Sequence, residues 1–251
     1  MPETSGIASR LAAVRARVDA AAAAAGRSPA DVRILLATKT QDAGTVLDAV
    51  AAASVLAGNA GDDRPVLVGE NRVQELVAKA PALAELAAAG RLQPHLIGHL
   101  QRNKINAALA AASCVETVDS LGLADALSAR CVRDGRALDV MVQVNVSGEE
   151  SKYGVAPDDA AALATGVAAL PGLRLTGFMT IGARSTDDAE VRRGFARLRQ
   201  VRDAVLASGA TGTADARELS MGMTGDLEHA VAEGATIVRV GTAVFGPRPA
   251  P

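Results

Sequence analysis

Short apolar segments alternate with helical segments along nearly the whole chain, and this alternation constrains the fold more than any other feature of the sequence. Continuous aliphatic and β-branched runs predict eight strands, at residues 33–37, 66–68, 95–97, 114–118, 139–146, 173–180, 218–221 and 236–241. Apolar positions at helical spacing predict intervening helices, at residues 43–57, 72–89, 102–112, 121–133, 157–169, 191–205 and 224–233. This order predicts a parallel sheet closed as a single (β/α)8 barrel, with a doubly wound open sheet as the alternative.

A further helix is predicted before the first strand, because apolar residues recur at helical spacing from Ile7 to Val18 within residues 5–25. Only ten residues follow the eighth predicted strand, so no full helix can come after it. We therefore expect the N-terminal helix to cover that side of the barrel. We also expect residues 1–251 to form one domain.

The charge balance argues against a nucleic-acid-binding protein. The chain has 26 Lys and Arg residues against 28 Asp and Glu residues, whereas nucleic-acid-binding domains usually carry a strong basic excess. The two cysteines, Cys114 and Cys131, have no metal-binding or redox spacing, which is typical of a reduced cytoplasmic protein. The N-terminus lacks a signal-peptide pattern and no run of 18 apolar residues occurs, so we expect no membrane span.

Lys39 is the first candidate for chemistry, because it lies two residues beyond the first predicted strand. Loops at the carboxyl ends of the strands build the active sites of barrel enzymes. A partly desolvated lysine at such a position has a lowered pKa and can attack an aldehyde as a nucleophile. The alternative is a surface lysine in an ordinary loop.

A phosphate site is predicted where the seventh and eighth strands end. Gly241 allows backbone N–H groups to approach an anion, and Thr242 adds a hydroxyl. The segment 220–224 (SMGMT) offers further hydroxyls and N–H groups before a helix. Ordinary turn formation with helix capping is the alternative. Arg239 lies inside the eighth strand and could face either the barrel mouth or a carboxylate on an outer helix.

Other polar residues are less specific. Asn71 follows the second strand and could line the mouth, but its position favours the N-cap of the next helix. His95 and His99 flank the third strand and are interpreted as structural in the first instance. The sequence contains neither a Ser-His-Asp arrangement nor a metal-binding cluster, so no metal is expected.

Eight segments occur in the order found in a known family. The chain resembles the pyridoxal phosphate homeostasis proteins, once called proline synthetase co-transcribed homologues, in the motifs ILLATKT, GENRVQEL, HLIGHLQRNK, VETVDS, VQVNVSGEESKYGV, LTGFMTIGA, ELSMGMTGDLEHAV and VRVGTAVFGPR. The resemblance implies an alanine racemase-like N-terminal barrel without the C-terminal β domain of that enzyme. It also implies that pyridoxal 5'-phosphate is the cofactor.

The same resemblance implies a set of cofactor-binding residues. Lys39 would carry the cofactor as a Schiff base, Arg239 would face the pyridine nitrogen and Asn71 would line the site. The phosphate would be held by Ser220, Gly241 and Thr242, with help from the backbone around Met221, Gly222 and Met223. Lys152 would be a secondary cofactor site, although Tyr153 stands where the family usually has a small residue.

The resemblance favours a protein that buffers or delivers pyridoxal phosphate within the cell over an enzyme. Apo-enzymes that need the cofactor are the expected partners, and a monomer is expected. An amino-acid racemase is the alternative, but racemisation needs a second acid/base on the opposite face of the substrate. The resembling racemases take that residue from the additional domain, for which no sequence follows the eighth strand here. A Schiff-base aldolase acting on a sugar phosphate is a third, weaker interpretation.

Overall fold

The computed structural model describes residues 2–149 and 151–247. Eight parallel strands form a closed barrel in sequence order, and β8 pairs with β1 to complete it. The strands are β1 (Arg33–Ala37), β2 (Val66–Glu70), β3 (Leu92–Leu96), β4 (Cys114–Val118), β5 (Leu138–Gln143), β6 (Leu173–Met179), β7 (Glu218–Ser220) and β8 (Ile237–Val240). The predicted barrel is thus confirmed, and the open doubly wound sheet is wrong.

Helices surround the barrel, as the alternation predicts. They are α1 (Pro2–Ala24), α2 (Ala43–Asn59), α3 (Val73–Ala88), α4 (Ile105–Leu109), α5 (Leu121–Arg133), α6 (Ala160–Ala168), α7 (Asp188–Ala207), α8 (Leu227–Ala232) and α9 (Thr242–Phe245). Helix α1 packs against α2, α8 and α9 and so covers the side of the barrel beyond β8, as expected. Arg10 fixes this packing by donating to the carbonyl of Val244 at 2.6 Å.

Several elements are shorter than their apolar patterns predict. The predicted helix 102–112 consists of a 3-10 turn (Arg102–Lys104) followed by the five residues of α4. The predicted strand 139–146 ends at Gln143, because the next residue, Val144, bridges to Val155 in the loop after β5. Helix α9 was not predicted. It is a short helix that begins directly after β8.

Alternating side chains along the strands produce two apolar layers. The larger layer lies between the sheet and the helices and includes Val238 and Val240 of β8. The smaller layer fills the inside of the barrel and includes Leu35 of β1 and Ile237 of β8. Since side chains in a strand alternate between faces, Arg239 must share the inner face with Ile237. A charged side chain is therefore placed inside the barrel, toward the carboxyl ends of the strands.

The described residues contain no group of three or more histidine, cysteine or acidic side chains that could hold a metal ion. Within the same part of the chain, no helix has the length and apolar content needed to cross a membrane. The predicted domain of 1–251 also includes residues 1, 150 and 248–251, which lie outside the described residues.

Candidate functional site

Lys39 lies in a tight turn directly after β1 and is partly buried. The amide of Gln41 donates to the carbonyl of Thr38 at 3.1 Å and closes the turn around Lys39. Thr40 has a φ of 68°, the left-handed region that a β-branched residue rarely adopts. Its amide is held by Glu75 Oε2 at 3.1 Å. A strained residue beside the predicted nucleophile is typical of functional sites, where strain is tolerated because the surroundings enforce it.

A buried ion pair stabilises the backbone at the start of this turn. Lys79 of α3 donates to Oε1 of Glu70 at 2.5 Å and to the carbonyl of Thr38 at 2.8 Å. The hydroxyl of Thr38 donates to the same Glu70 oxygen at 2.5 Å. All three residues are buried, so these bonds are shielded from water. They fix the backbone immediately before Lys39.

Gly241 lies at the end of β8, next to the end of β1. A Cβ atom at Gly241 would lie 3.1 Å from the carbonyl oxygen of Ala37, two residues before Lys39. Helix α9 begins at Thr242, which is exposed. The first amides of a helix have no acceptor within the helix, and a short extra helix after the eighth strand is a frequent phosphate site in barrels. The predicted phosphate residues Gly241 and Thr242 are therefore close in space to the turn that carries Lys39.

The segment after β7 is already engaged in bonds within the chain. The amide of Met221 donates to the carbonyl of Ile237 at 3.0 Å, and that of Met223 donates to Oδ1 of Asp226 at 2.5 Å. Met221 is fully buried, whereas Met223 is exposed at the rim of the barrel. The backbone amides predicted to help bind the phosphate thus lie at the expected end of the barrel. Two of them, those of Met221 and Met223, already donate to acceptors within the chain.

Gly222 ties this segment to β8. It has a φ of 87°, and its carbonyl accepts a hydrogen bond from the amide of Arg239 at 3.0 Å. A Cβ atom at Gly222 would lie 2.4 Å from the Cβ of Ala230. Both its conformation and its close contact with α8 therefore require glycine.

Arg239 points into the barrel and is 6% exposed. Its Nη1 donates to the hydroxyl of Ser220 at 2.9 Å, and its Nη2 donates to the carbonyl of Thr180 at 2.7 Å. Thr180 and Ser220 lie at the carboxyl ends of β6 and β7, so the guanidinium is at the same end of the barrel as Lys39. The alternative in which Arg239 pairs with a carboxylate on an outer helix is wrong.

Ser220 is fully buried, and its hydroxyl has two partners already. It accepts from Arg239 and donates to Oε2 of Glu116 at 2.6 Å. The other carboxylate oxygen of Glu116 lies 2.6 Å from Nδ1 of His95. His95 is therefore a buried histidine with a satisfied ring nitrogen. The hydroxyl of Ser220 thus accepts a hydrogen bond from Arg239, and a role of this residue in binding phosphate stays a prediction.

Asn71 lies at the same end of the barrel with an exposed side chain. Its backbone packs closely on the loop after β3, since a Cβ atom at Gly98 would lie 2.0 Å from the carbonyl oxygen of Asn71. The N-cap residue of α3 is Arg72, so the interpretation of Asn71 as that cap is wrong. Asn71 thus lies at the mouth of the barrel, and its role in lining the cofactor stays a prediction.

Lys152 lies in the loop after β5 and has a partly buried side chain. Its ammonium group donates to Oε1 of Glu149 at 2.5 Å and to the carbonyl of Gly182 at 2.7 Å. The next residue, Tyr153, stacks on His99 with ring centroids 3.9 Å apart. Lys152 thus joins the loops after β5 and β6, and its role as a secondary cofactor site stays a prediction.

Sequence reasoning missed three buried residues that support the site: Glu70, Lys79 and Glu116. Each is an ionisable residue inside an otherwise apolar segment, which is a signal that its charge must be paired. The same signal identified Arg239 in β8. Glu116 could have been found in this way from the strand CVETV, although its partner could not.

Comparisons with known proteins agree with this fold. A family model described as "Alanine racemase, N-terminal domain" matches residues 9–249. The chain is 42% identical over 242 residues to the "Pyridoxal phosphate homeostasis protein" of Pseudomonas aeruginosa, with 96% of each chain covered.

Two solved structures extend the comparison. An unknown protein from Bifidobacterium adolescentis is 45% identical, with a TM-score of 0.89 and coverage of 97% of this chain and 96% of that chain. PipY of Synechococcus elongatus, solved with pyridoxal phosphate bound, is 32% identical, with a TM-score of 0.76 and coverage of 96% of this chain and all of PipY. The chain therefore belongs to the pyridoxal phosphate homeostasis protein family and carries the N-terminal domain of the alanine racemase family.

Proposed function

We propose that this protein binds pyridoxal 5'-phosphate covalently on Lys39 and takes part in the homeostasis of that cofactor in the cytoplasm. The amine of Lys39 attacks the aldehyde carbon, a C=N bond forms and the aldehyde oxygen leaves as water. Because water can reverse this reaction, the same bond allows both storage and release. The observation that carries the proposal is the meeting of Lys39, the Gly241 loop and Arg239 at one end of the barrel.

The residues present fit the chemical groups of the cofactor. An aldehyde needs an amine, which Lys39 supplies from a turn held in place by Lys79 and Glu70. A phosphate needs hydrogen-bond donors and enough space for its oxygen atoms. The start of α9, with Gly241 and Thr242, offers both. An unprotonated pyridine nitrogen accepts a hydrogen bond, and Arg239 is a donor that cannot be deprotonated. Asn71 lines the remaining side.

Homeostasis is favoured over racemisation by the residues around the site. Racemisation needs an acid/base group on each face of the substrate. Tyr153, the tyrosine of this chain, stacks on His99 at the outer rim and is 55% exposed. The relative named "Pyridoxal phosphate homeostasis protein" supports the same choice.

Cofactor titration of the purified protein tests the covalent bond. Wild-type protein is expected to develop the visible absorption band of a Schiff base on addition of pyridoxal phosphate, and Lys39→Ala is expected to lack it. Lys104→Ala is the matched control, because Lys104 lies in the 3-10 turn before α4 and should leave the band intact. After borohydride reduction, the cofactor should remain on the peptide that contains residue 39. A reduced adduct on other lysines with none on Lys39 would contradict the proposal.

Transfer to an apo-enzyme separates delivery from buffering. Loaded protein is mixed with an apo-enzyme that needs pyridoxal phosphate, and recovery of activity is compared with recovery from the same concentration of free cofactor. Faster recovery supports delivery to apo-enzymes as partners. Recovery at or below the rate of free cofactor supports buffering alone. Inversion of the α-hydrogen of an amino acid at about 1–10³ per second would instead make the protein a racemase.

A further inference from the structure

A chain of buried hydrogen bonds crosses the inside of the barrel and ends on Arg239. Nδ1 of His95 donates to one carboxylate oxygen of Glu116, and the hydroxyl of Ser220 donates to the other, each at 2.6 Å. Nη1 of Arg239 donates to the oxygen of Ser220 at 2.9 Å. A hydroxyl has one proton, so Ser220 can serve both partners only by accepting from the guanidinium and donating to the carboxylate. The hydroxyl therefore connects Glu116 to Arg239 in a fixed direction.

The four side chains come from four different strands, β3, β4, β7 and β8. Glu116 lies where the register between β4 and β5 shifts, between Val115 and Val118. An irregularity of this kind redirects a side chain, and irregularities occur often beside active sites. The hydroxyl of Thr117, in the same segment, donates to the carbonyl of Gly98 at 2.9 Å. The position of Glu116 is thus set by the local backbone as well as by its partners.

The network balances the charges of Glu116 and Arg239, which are shielded from water. Glu116 and Ser220 are fully buried, His95 is 4% exposed and Arg239 is 6% exposed. Burial by itself raises the pKa of Glu116, but the hydrogen bond and charge of His95, the charge of Arg239 and the Ser220 hydroxyl together lower it below the usual range. The carboxylate is therefore ionised and is the counter-charge of the buried guanidinium.

The guanidinium has further donors that the barrel does not use. Arginine carries five N–H donors in a rigid plane, and two of them are bound here by Ser220 and by the carbonyl of Thr180. Because the plane is rigid, fixing two donors fixes the direction of the other three. The described residues show no further hydrogen bond to the Arg239 guanidinium, so its other donors can serve a ligand at the barrel mouth.

We infer that Glu116 is a positioning residue for cofactor binding: through the hydroxyl of Ser220 it fixes the direction of the Arg239 guanidinium and balances its charge. This inference rests on the proposed function, in which Arg239 faces the pyridine ring. His95 holds the carboxylate from the opposite side. His95 also lines a cavity of about 290 Å³ at the amino ends of the strands, so the network spans the barrel from one end to the other.

The experiment is a double-mutant cycle read through the cofactor. Glu116→Gln, Arg239→Met and the double variant are titrated with pyridoxal phosphate, and both the dissociation constant and the maximum of the visible band are measured. Glu116→Gln should bind at least about tenfold more weakly than the wild type, with its visible maximum displaced toward that of Arg239→Met. In the Arg239→Met background, Glu116→Gln should change neither quantity further.

Ser220→Ala keeps the test independent of how well Glu116→Gln folds. This variant leaves both charges in place and removes only the connecting hydroxyl, so it should show the same displaced maximum. The double variant replaces both charges with neutral groups and is a second safeguard, with thermal unfolding of the apo-protein as the check on folding.

The outcomes separate this inference from the proposed function. A wild-type protein without a visible band would overturn the proposed function itself. A wild-type band with unchanged maxima and affinities in Glu116→Gln and Ser220→Ala would overturn only the role of Glu116. Effects of Glu116→Gln that persist in full in the Arg239→Met background would overturn it as well, because Glu116 would then act on the fold and not through Arg239.

Discussion

Replacing Lys79 with Met should destabilise the whole barrel and not only the turn that carries Lys39. The ammonium group of Lys79 makes two buried bonds, to Glu70 at 2.5 Å and to the carbonyl of Thr38 at 2.8 Å. The Oε2 atom of Glu70 is buried and already lacks a partner in the described part of the chain. Methionine matches the length of the lysine stem, so the change removes the charge and leaves most of the packing in place.

The expected loss follows from leaving a carboxylate buried without its counter-charge. Removing one partner of a buried ion pair costs about 3–5 kcal/mol. In a chain of this length each kcal/mol lowers the melting temperature by about 2–4 °C, so Lys79→Met should melt about 6–20 °C below the wild type. Glu70→Gln in the same background should recover most of that loss, because the Gln side chain is neutral and its oxygen can still accept from Thr38.

The deficit should also depend on pH. Burial raises the pKa of Glu70, and the bonds from Lys79 and Thr38 offset only part of that effect. A carboxyl whose pKa is higher in the folded chain contributes stability that is fully present below its unfolded pKa and is lost as pH rises through the folded value. Without Lys79 the folded pKa rises further. The deficit of Lys79→Met is therefore smaller near about pH 5 than at about pH 8.

Urea denaturation at both pH values, with thermal unfolding alongside, measures these differences. Lys104→Met is the matched control and should stay within about 0.5 kcal/mol of the wild type, as surface substitutions usually do. A Lys79→Met variant within about 1 kcal/mol of the wild type at the higher pH would refute the reasoning, since the buried carboxylate would then need no counter-charge. So would a deficit that grows as the pH falls.

Three further substitutions test the backbone around the site, and Gly58→Ala in α2 is their control. Gly241→Ala places a Cβ atom 3.1 Å from the carbonyl oxygen of Ala37 and should weaken cofactor binding about tenfold, equivalent to ~1.4 kcal/mol, measured by titration of the visible band. Gly98→Ala brings a Cβ atom to 2.0 Å from the carbonyl oxygen of Asn71 and should lower the free energy of unfolding by about 1–3 kcal/mol. At Gly58 an added Cβ atom meets nothing within 4 Å, so Gly58→Ala should raise the free energy of unfolding by about 0.5–1 kcal/mol in the same denaturation assay. Thr40→Gly removes the strain of a φ of 68° and should raise stability by about 1 kcal/mol; a loss of stability would show that the turn is not strained.

The fold was largely predictable because most strands are short segments rich in apolar residues and the longer helices have an apolar face. Both patterns reflect burial against the same barrel, so they survive without knowledge of the partner residues. Helix α9 was missed because four residues are too few to show a helical period. The predicted helix over 102–112 was too long because an Ala-rich sequence continues its helical pattern through residues 110–112, where the chain turns toward β4.

The candidate site was predictable only in part. Lys39, Gly241 and Arg239 could be assigned to one end of a barrel, since the carboxyl ends of all parallel strands lie together. The partners of Arg239 could not be assigned, because they depend on the register of strands far apart in sequence. Ser220 and Glu116 are 104 residues apart. Such a contact is decided by the closure of the barrel and leaves no local pattern.

The distribution of buried and exposed residues at the site suits a protein that must release its cofactor. The inner part of the site is held by buried bonds, as at Arg239, and these keep one geometry. The outer part consists of exposed residues, among them Asn71, Thr242 and Met223. Water that reaches Lys39 from this rim can add to the C=N bond and restore both the lysine amine and the aldehyde. An enzyme that closes over its substrate excludes water in order to prevent such a loss. If Lys39 binds the cofactor as proposed, the exposed rim keeps that covalent bond reversible, as buffering or delivery requires.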